Sequence, residues 1–321
     1  MRQPRPPRDA PSELFTGRVV ASHGRELKVA GPDGRPVACR LHGRKIEAVC
    51  GDEVRWGPQS GGDAIAIVYE VLPRRRTLQR MTSLGRGEPV VANLTQLVAV
   101  AAATPAPDWF VVDRYLAGAA WAAIGAMVCF NKCELGVSED AAAELDGYAA
   151  LGYPVVRCST RAEPGIGALV EHLAGATSVL VGQSGTGKSS LLNALAPEAR
   201  AVTQEISAAT EEGRHTTTHA ALHELAGGGA LIDSPGVRDY APPLPLVRDV
   251  GSGFIEIATT AAACRFQDCL HDAEPHCAVR AAVESGVIRR RRFDSYRRLL
   301  TLGREFDARF PERRRPPARI R

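Results

Sequence analysis

One stretch of eight residues limits the possible folds more than any other. Gly182-Gln183-Ser184-Gly185-Thr186-Gly187-Lys188-Ser189 fits the GxxxxGK[ST] pattern and sits between a short apolar run, Ser178 to Val181, and a helical pattern, Ser189 to Leu195. A loop of this kind works only where a strand enters and a helix leaves. Its glycines let backbone N–H groups turn toward phosphates, and the helix N-terminus adds favourable partial charge. In that arrangement Lys188 would hold the β- and γ-phosphates, the Ser189 hydroxyl would ligate magnesium, and Ser190 would extend the phosphate contacts.

The surrounding sequence has the texture such a loop needs. From Leu97 a continuous apolar run to Ala103 is followed by a helical stretch, Val111 to Ile124, and a second run, Ala126 to Phe130. Helix at 140–151, strand at 155–158, helix at 167–173, strand at 178–181, helix at 189–195 and strand at 230–232 continue the series. Strands alternating with helices predict a mainly parallel sheet covered on both faces. Between the phosphate loop and position 230 the sequence is polar and reads as strandless.

Asp233-Ser234-Pro235-Gly236 follows the last of these strands. There a nucleotide hydrolase places an aspartate for magnesium and a glycine near the γ-phosphate. Gly213-Arg214-His215-Thr216-Thr217-Thr218 has the character of a switch loop, in which Thr217 would complete the magnesium shell. Upstream, the strand ending at Phe130 runs into Asn131-Lys132-Cys133-Glu134, similar to the Asn-Lys-x-Asp pattern that recognises guanine. A carboxylate there accepts two hydrogen bonds that adenine cannot supply, and here it is Glu134, one methylene longer than Asp. Ser159 and Thr160, at the end of the next strand, are positioned to offer a backbone amide to the guanine carbonyl. The base elements at 131 and 159 precede the phosphate loop at 182, the reverse of the usual order, so the sequence reads as a circularly permuted GTPase. Val237 stands where many GTPases carry the glutamine that orients water, leaving His215 as the nearest catalytic candidate.

Two further regions flank this unit. Segments at 17–22, 26–29, 36–41, 52–56 and 64–71 alternate in polarity and are separated by turn signals such as Pro32-Asp33-Gly34. They predict a small β-barrel, for which an oligonucleotide-binding (OB) fold is the natural candidate and another small β module the alternative. Beyond Pro243 the chain turns helical and basic and contains Cys264, Cys269, His271 and Cys277. Three thiolates and an imidazole at that spacing form a closed tetrahedral site for one structural zinc ion, with His276 as an alternative ligand.

The net charge is +4, and Lys stands only at positions 28, 45, 132 and 188, so the basic balance is one of arginine. Arginines crowd positions 289–321, a local patch of the kind that favours phosphate backbones. The longest apolar run, Leu116 to Phe130, falls short of the roughly 20 residues of a membrane span. The N-terminus lacks the apolar core of a signal peptide, so the expectation is a cytoplasmic protein.

Barrel, permuted motifs and cysteine array together resemble the bacterial small-ribosomal-subunit-dependent GTPase family, over residues 13 to 300. The resemblance implies a multi-domain chain: a flexible arm at 1–12, an OB-fold barrel at 13–76, an α/β circularly permuted P-loop GTPase at 77–243, and a mainly helical zinc-binding domain with an Arg-rich tail at 244–321. It further implies a monomer that binds GTP or GDP with magnesium, one zinc, the small ribosomal subunit and its rRNA. Hydrolysis, stimulated by the subunit, would be coupled to late subunit maturation and to the protein's own release. Two other readings are an RNA-binding assembly module with nucleotide as a structural ligand, and a small-molecule kinase or ATPase; Asn131-Lys132 argues against the latter.

Overall fold

The computed structural model describes residues 11, 13–58, 65–82, 85–197, 219–238 and 240–311. Most of the expected arm at 1–12, and the last part of the Arg-rich tail, lie outside the described residues.

Strands β1 (Phe15–His23), β2 (Glu26–Ala30), β3 (Pro36–Leu41), β4 (Glu53–Gly57) and β5 (Ala66–Val71) form the barrel. The ring closes in the order β1-β2-β3-β5-β4-β1, with β3 and β5 parallel and the other pairs antiparallel. Closure follows from period-two patterning: Leu27 and Val29 of β2 point inward, while Glu26 and Lys28 face out. Bulges after Val19 and after Arg55 add the twist that a small ring needs. The basic stretch at 74–76 braces this barrel. Arg74 Nε and Nη2 donate to Asp52 Oδ1 and Oδ2 at 2.7 and 2.8 Å, and Asp52 is fully buried. Loss of Arg74 would leave the buried Asp52 carboxylate without its charged partner, at a typical cost of about 3–5 kcal/mol.

After a hairpin that the sequence reading did not anticipate, β6 (Thr77–Met81) and β7 (Gly87–Ala92), the α/β unit begins. It comprises β8 (Gln96–Ala102), α1 (Trp109–Trp121), β9 (Gly125–Asn131), α2 (Glu139–Ala150), β10 (Val155–Arg157), α3 (Gly167–Leu173), β11 (Thr177–Gly182), α4 (Lys188–Leu195), β12 (His219–Glu224), β13 (Ala230–Asp233) and α5 (Pro235–Arg238). Spatial order is β10-β9-β8-β11-β13-β12, parallel except for β12. The continuous apolar runs are strands buried on both faces. Leu97, Ala99 and Ala101 of β8 pack with Val112 and Leu116 of α1. Val98 and Val100 pack on the opposite face with Leu169 of α3 and Leu191 of α4.

Strand β12 corrects the strandless reading of the segment before 230. Its residues 219–221 pair with His23, Ser22 and Ala21 of β1, and its outer part pairs with β13. The barrel and the α/β sheet are thereby one continuous hydrogen-bonded sheet.

The C-terminal region is mainly helical: α6 (Ile255–Ala261), α7 (Ala278–Glu284) and α8 (Arg290–Arg309). Phe293, Tyr296, Leu299 and Leu300 of α8 form one apolar stripe and meet Phe254, Ile257 and Val279; Ala117 of α1 joins the same cluster. The arginine patch is therefore divided. Arg290, Arg297, Arg298, Arg304 and Arg309 are exposed, whereas Arg292 is buried and Arg291 half-buried, both paired with carboxylates.

Candidate functional site

Residues 182–187 make the turn between β11 and α4, as the motif requires. Lys188 Nζ donates to the carbonyls of Gly182 and Gln183 at 2.6 and 2.8 Å, and the buried Thr186 hydroxyl donates to Gln183 O at 2.9 Å. Gly187 has φ 91°, in the left-handed region that favours glycine, and a Cβ there would strike the amide of Asn131. A cavity of 550 Å³ opens over this turn, lined by Ser184, Gly185, Gly187, Lys188, Ser189 and Ser190. It is the concave, donor-lined N-terminus of a helix, suited to an anion.

The Asn131-Lys132 segment at the end of β9 reaches the same cavity through Lys132. Asn131 is buried and donates from Nδ2 to Thr186 O at 3.0 Å. Lys132 has φ 60°, a costly backbone for a residue with a side chain, and its ammonium donates to Gly185 O at 2.6 Å and Thr104 O at 2.8 Å. Lys132 also lines the cavity. Glu134 is exposed beside it. A hydrogen bond from Ser159, then its own backbone amide, hold its carboxyl below the usual glutamate range, with Arg161 and Lys132 adding positive charge. Ser159 can donate because its oxygen accepts from the amides of Arg161 and Ala162, both at 3.0 Å. Thr160 is exposed at the same turn.

Asp233 and Ser234 also line the cavity. Gly236 lies a step away, in a groove shared with Val90 of the β6–β7 hairpin and His23 of the barrel. Thr217 and His215 fall outside the described residues. Arg161 and Val237 also line the cavity, and neither was assigned to the site from sequence. Arg161 directly follows the Ser159-Thr160 turn, and that adjacency was the available signal.

The cysteine cluster lies apart from this cavity. Ligand atoms of Cys264, Cys269, His271 and Cys277 all lie within 4.8 Å of one another. Cys264 Sγ and Cys277 Sγ are 3.9 Å apart, and His271 Nδ1 is 3.5 and 3.4 Å from them. A tetrahedral ion with ligands at about 2.0–2.3 Å has edges of about 3.3–3.8 Å, close to the separations among Cys264, His271 and Cys277, and Cys269 lies near enough for the group to hold a metal ion. His276 is exposed and outside the cluster. Glu274, which the spacing did not single out, ties the ligand loop by accepting from the amides of Leu270 and Asp272, each at 2.9 Å. Among the described residues no helix is long and apolar enough to cross a membrane.

Comparison with known proteins agrees with this layout. The chain is 40% identical over 296 residues to the small ribosomal subunit biogenesis GTPase RsgA of Pseudomonas aeruginosa, covering 91% of this chain and 86% of that one. It is 40% identical over 290 residues to the protein of that name from Chromohalobacter salexigens, covering 88% and 85%. Among solved structures, YloQ, described as a circularly permuted GTPase, superposes with TM-score 0.70 at 26% identity, over 92% of this chain and 96% of that one. YjeQ from Thermotoga maritima superposes with TM-score 0.71 at 28% identity, over 91% and 99%. A family model, RsgA GTPase, matches residues 71–242, more than half of the chain, and with these full-length relatives it establishes that the chain belongs to the RsgA GTPase family.

Proposed function

We propose that this GTPase binds the small ribosomal subunit in the cytoplasm, acts in its late maturation, and uses GTP hydrolysis to time its own release. The observation that carries the nucleotide half of this reading is the interlock of Asn131 and Lys132 with the carbonyls of Thr186 and Gly185 around one basic cavity. It brings base-reading and phosphate-holding elements to one place. The ribosomal half is supported by the relatives' names, by the closed five-stranded, OB-like barrel and by the exposed arginines of α8. The units 13–76, 77–243 and 244–321 serve as barrel, GTPase and metal-binding domain of a monomer.

In this reading residues 182–190 and Gly236 hold the phosphates, and Asn131, Lys132, Glu134, Ser159 and Thr160 read guanine. Ser189, Asp233 and Thr217 hold magnesium, whose charge would offset that of the β- and γ-phosphates. The Cys264, Cys269, His271, Cys277 set takes zinc as a closed structural ligand sphere, leaving no position for catalysis.

Glu134 recognises guanine through its carboxylate, so discrimination follows its ionisation. Because its carboxyl is held below its usual value of 4.5, the GDP-to-IDP affinity ratio should stay constant from pH 8 to 5 and fall only below that window. IDP lacks the 2-amino group, and comparing two diphosphates cancels phosphate titration. A ratio near one at pH 7, measured by calorimetry, would remove Glu134 from base recognition.

Elemental analysis should find about one zinc per chain. Cys269→Ser should lose the metal, lower the melting temperature and weaken subunit binding, while GDP still binds. A metal-free protein with an unchanged melt would refute this ligand set.

Turnover of GTP and ATP with and without purified small subunits tests the function itself. GTP hydrolysis should be slow alone and strongly accelerated by subunits, and ATP should be a poor substrate. His215→Ala should retain GTP and subunit binding yet lose about 100-fold of the stimulated rate, as removal of a group that orients or deprotonates water does. Lys188→Ala should lose nucleotide affinity as well. Fast hydrolysis without subunits would contradict the timing role, and full stimulation of His215→Ala would exclude the histidine.

A further inference from the structure

Within the phosphate loop, Gln183 turns its side chain away from the cavity. Its backbone carbonyl accepts from Lys188 and Thr186, but its Oε1 accepts from the backbone N–H of Asp108 at 2.9 Å. Asp108 is the cap of α1, its carboxylate accepting from the amides of Phe110 and Val111 at 3.0 and 3.4 Å. The phosphate loop is therefore fastened to the N-terminus of α1.

Five residues further along α1, Asp113 is 0% exposed, and both its oxygens are occupied. Oδ1 accepts from Tyr148 at 2.5 Å and from Arg292 Nη1 at 2.7 Å, and Oδ2 accepts from Arg291 Nη1 at 2.6 Å. Arg292, 2% exposed, also grips Glu256 of α6 with Nε–Oε1 at 2.7 Å and Nη2–Oε2 at 3.0 Å. Burial opposes the charge on Arg292, but Asp113 and Glu256 outweigh it and keep the guanidinium protonated. One turn beyond Arg292, Tyr296 donates to the carbonyl of Leu270, the residue between the metal-cluster members Cys269 and His271, at 2.5 Å. The pairs of Asp113 with Arg291 and Arg292, and of Arg292 with Glu256, are short and buried or part-buried, and two helices join them to the hydrogen bonds at Asp108 and Leu270.

We propose that Gln183 is a positioning residue through which the metal-binding region sets how fast the phosphate loop releases a guanosine diphosphate. This rests on the reading of 182–189 as a diphosphate site. The buried Asp113 network fixes α8 to α1, and α1 is stiff along its axis, so the posture of the C-terminal region is felt at Asp108. Gln183 Oε1 is the contact that passes it to the loop. The required property is an acceptor at that reach, because the partner is a backbone N–H.

The test is a set of double-mutant cycles on the full-length, metal-loaded chain, reading the release rate of GDP labelled with a methylanthraniloyl group. Asp113→Asn keeps the shape of the side chain but weakens both arginine pairs. Tyr296→Phe is a milder perturbation that keeps the ring and carries the same test if Asp113→Asn does not fold. Each is made with Gln183, Gln183→Glu and Gln183→Met, and the quantity compared is the ratio of release rates with and without the distant change. The ratio cancels whatever the new charge in Gln183→Glu does to the diphosphate. With Gln183 and with Gln183→Glu, both acceptors, the ratio should be about three- to tenfold, and with Gln183→Met it should fall to about one. The same ratio in all three backgrounds, or a ratio of one with Gln183 itself, would overturn the proposal; so would Gln183→Glu behaving as Gln183→Met. Failure of the unaltered protein to bind GDP would instead count against the diphosphate site.

Discussion

The site depends on one small set of contacts, the grip of the Asn131-Lys132 turn on the phosphate loop. Asn131 is buried and bonds to Thr186 O, and Lys132 holds Gly185 O in an otherwise unfavourable left-handed backbone. Hydrogen bonds from a charged donor to a carbonyl are among the stronger ones, typically about 1.5–3 kcal/mol each, enough to offset the backbone cost. The absence of a Cβ at Gly187 gives the Asn131 amide room to approach. Without this grip the two loops would be independent ends of separate strands.

The grip also explains how a permuted chain order is tolerated. β9 and β11 are both parallel members of one sheet, with β8 between them, so their C-terminal ends emerge on the same edge. Chain order determines which segments lie outside this core. Here the outer strand β12 pairs with barrel strand β1, and the segment after α5 leads into the metal-binding region. Both flanking regions are joined to the nucleotide unit by directed contacts, a backbone ladder on one side and a buried ion network on the other. Either arrangement gives a change in a flanking region a physical route to the site.

Much of this was legible in sequence because the signals are local. The five barrel strands follow period-two patterning, the apolar runs 97–103 and 126–130 become doubly buried strands, and the phosphate loop needs its neighbouring strand and helix. Cys264, Cys269, His271 and Cys277 stand out by their spacing, and the fold gathers them into one cluster. What sequence did not reveal depends on distant partners. His219 to Glu224 has little strand character of its own and becomes β12 because β1 and β13 flank it. The β6–β7 hairpin is short, polar and stabilised at its base by Leu78 and Val91 in the main core. Arg291 and Arg292 read as part of a basic patch, and only the fold brings them to Asp113, Glu144 and Glu256. Motif position puts Gln183 in the phosphate loop but says nothing about where its side chain points, which is to Asp108, the cap of α1.

The central claim is that the Asn131-Lys132 turn and the phosphate loop act as one rigid unit, and amide hydrogen exchange of the full-length protein with and without GDP tests it most directly. The account predicts that GDP slows exchange at 131–134 and 183–190 together and to a similar degree, because each loop is hydrogen-bonded to the other. Protection confined to 183–190, with 131–134 unchanged, would contradict it.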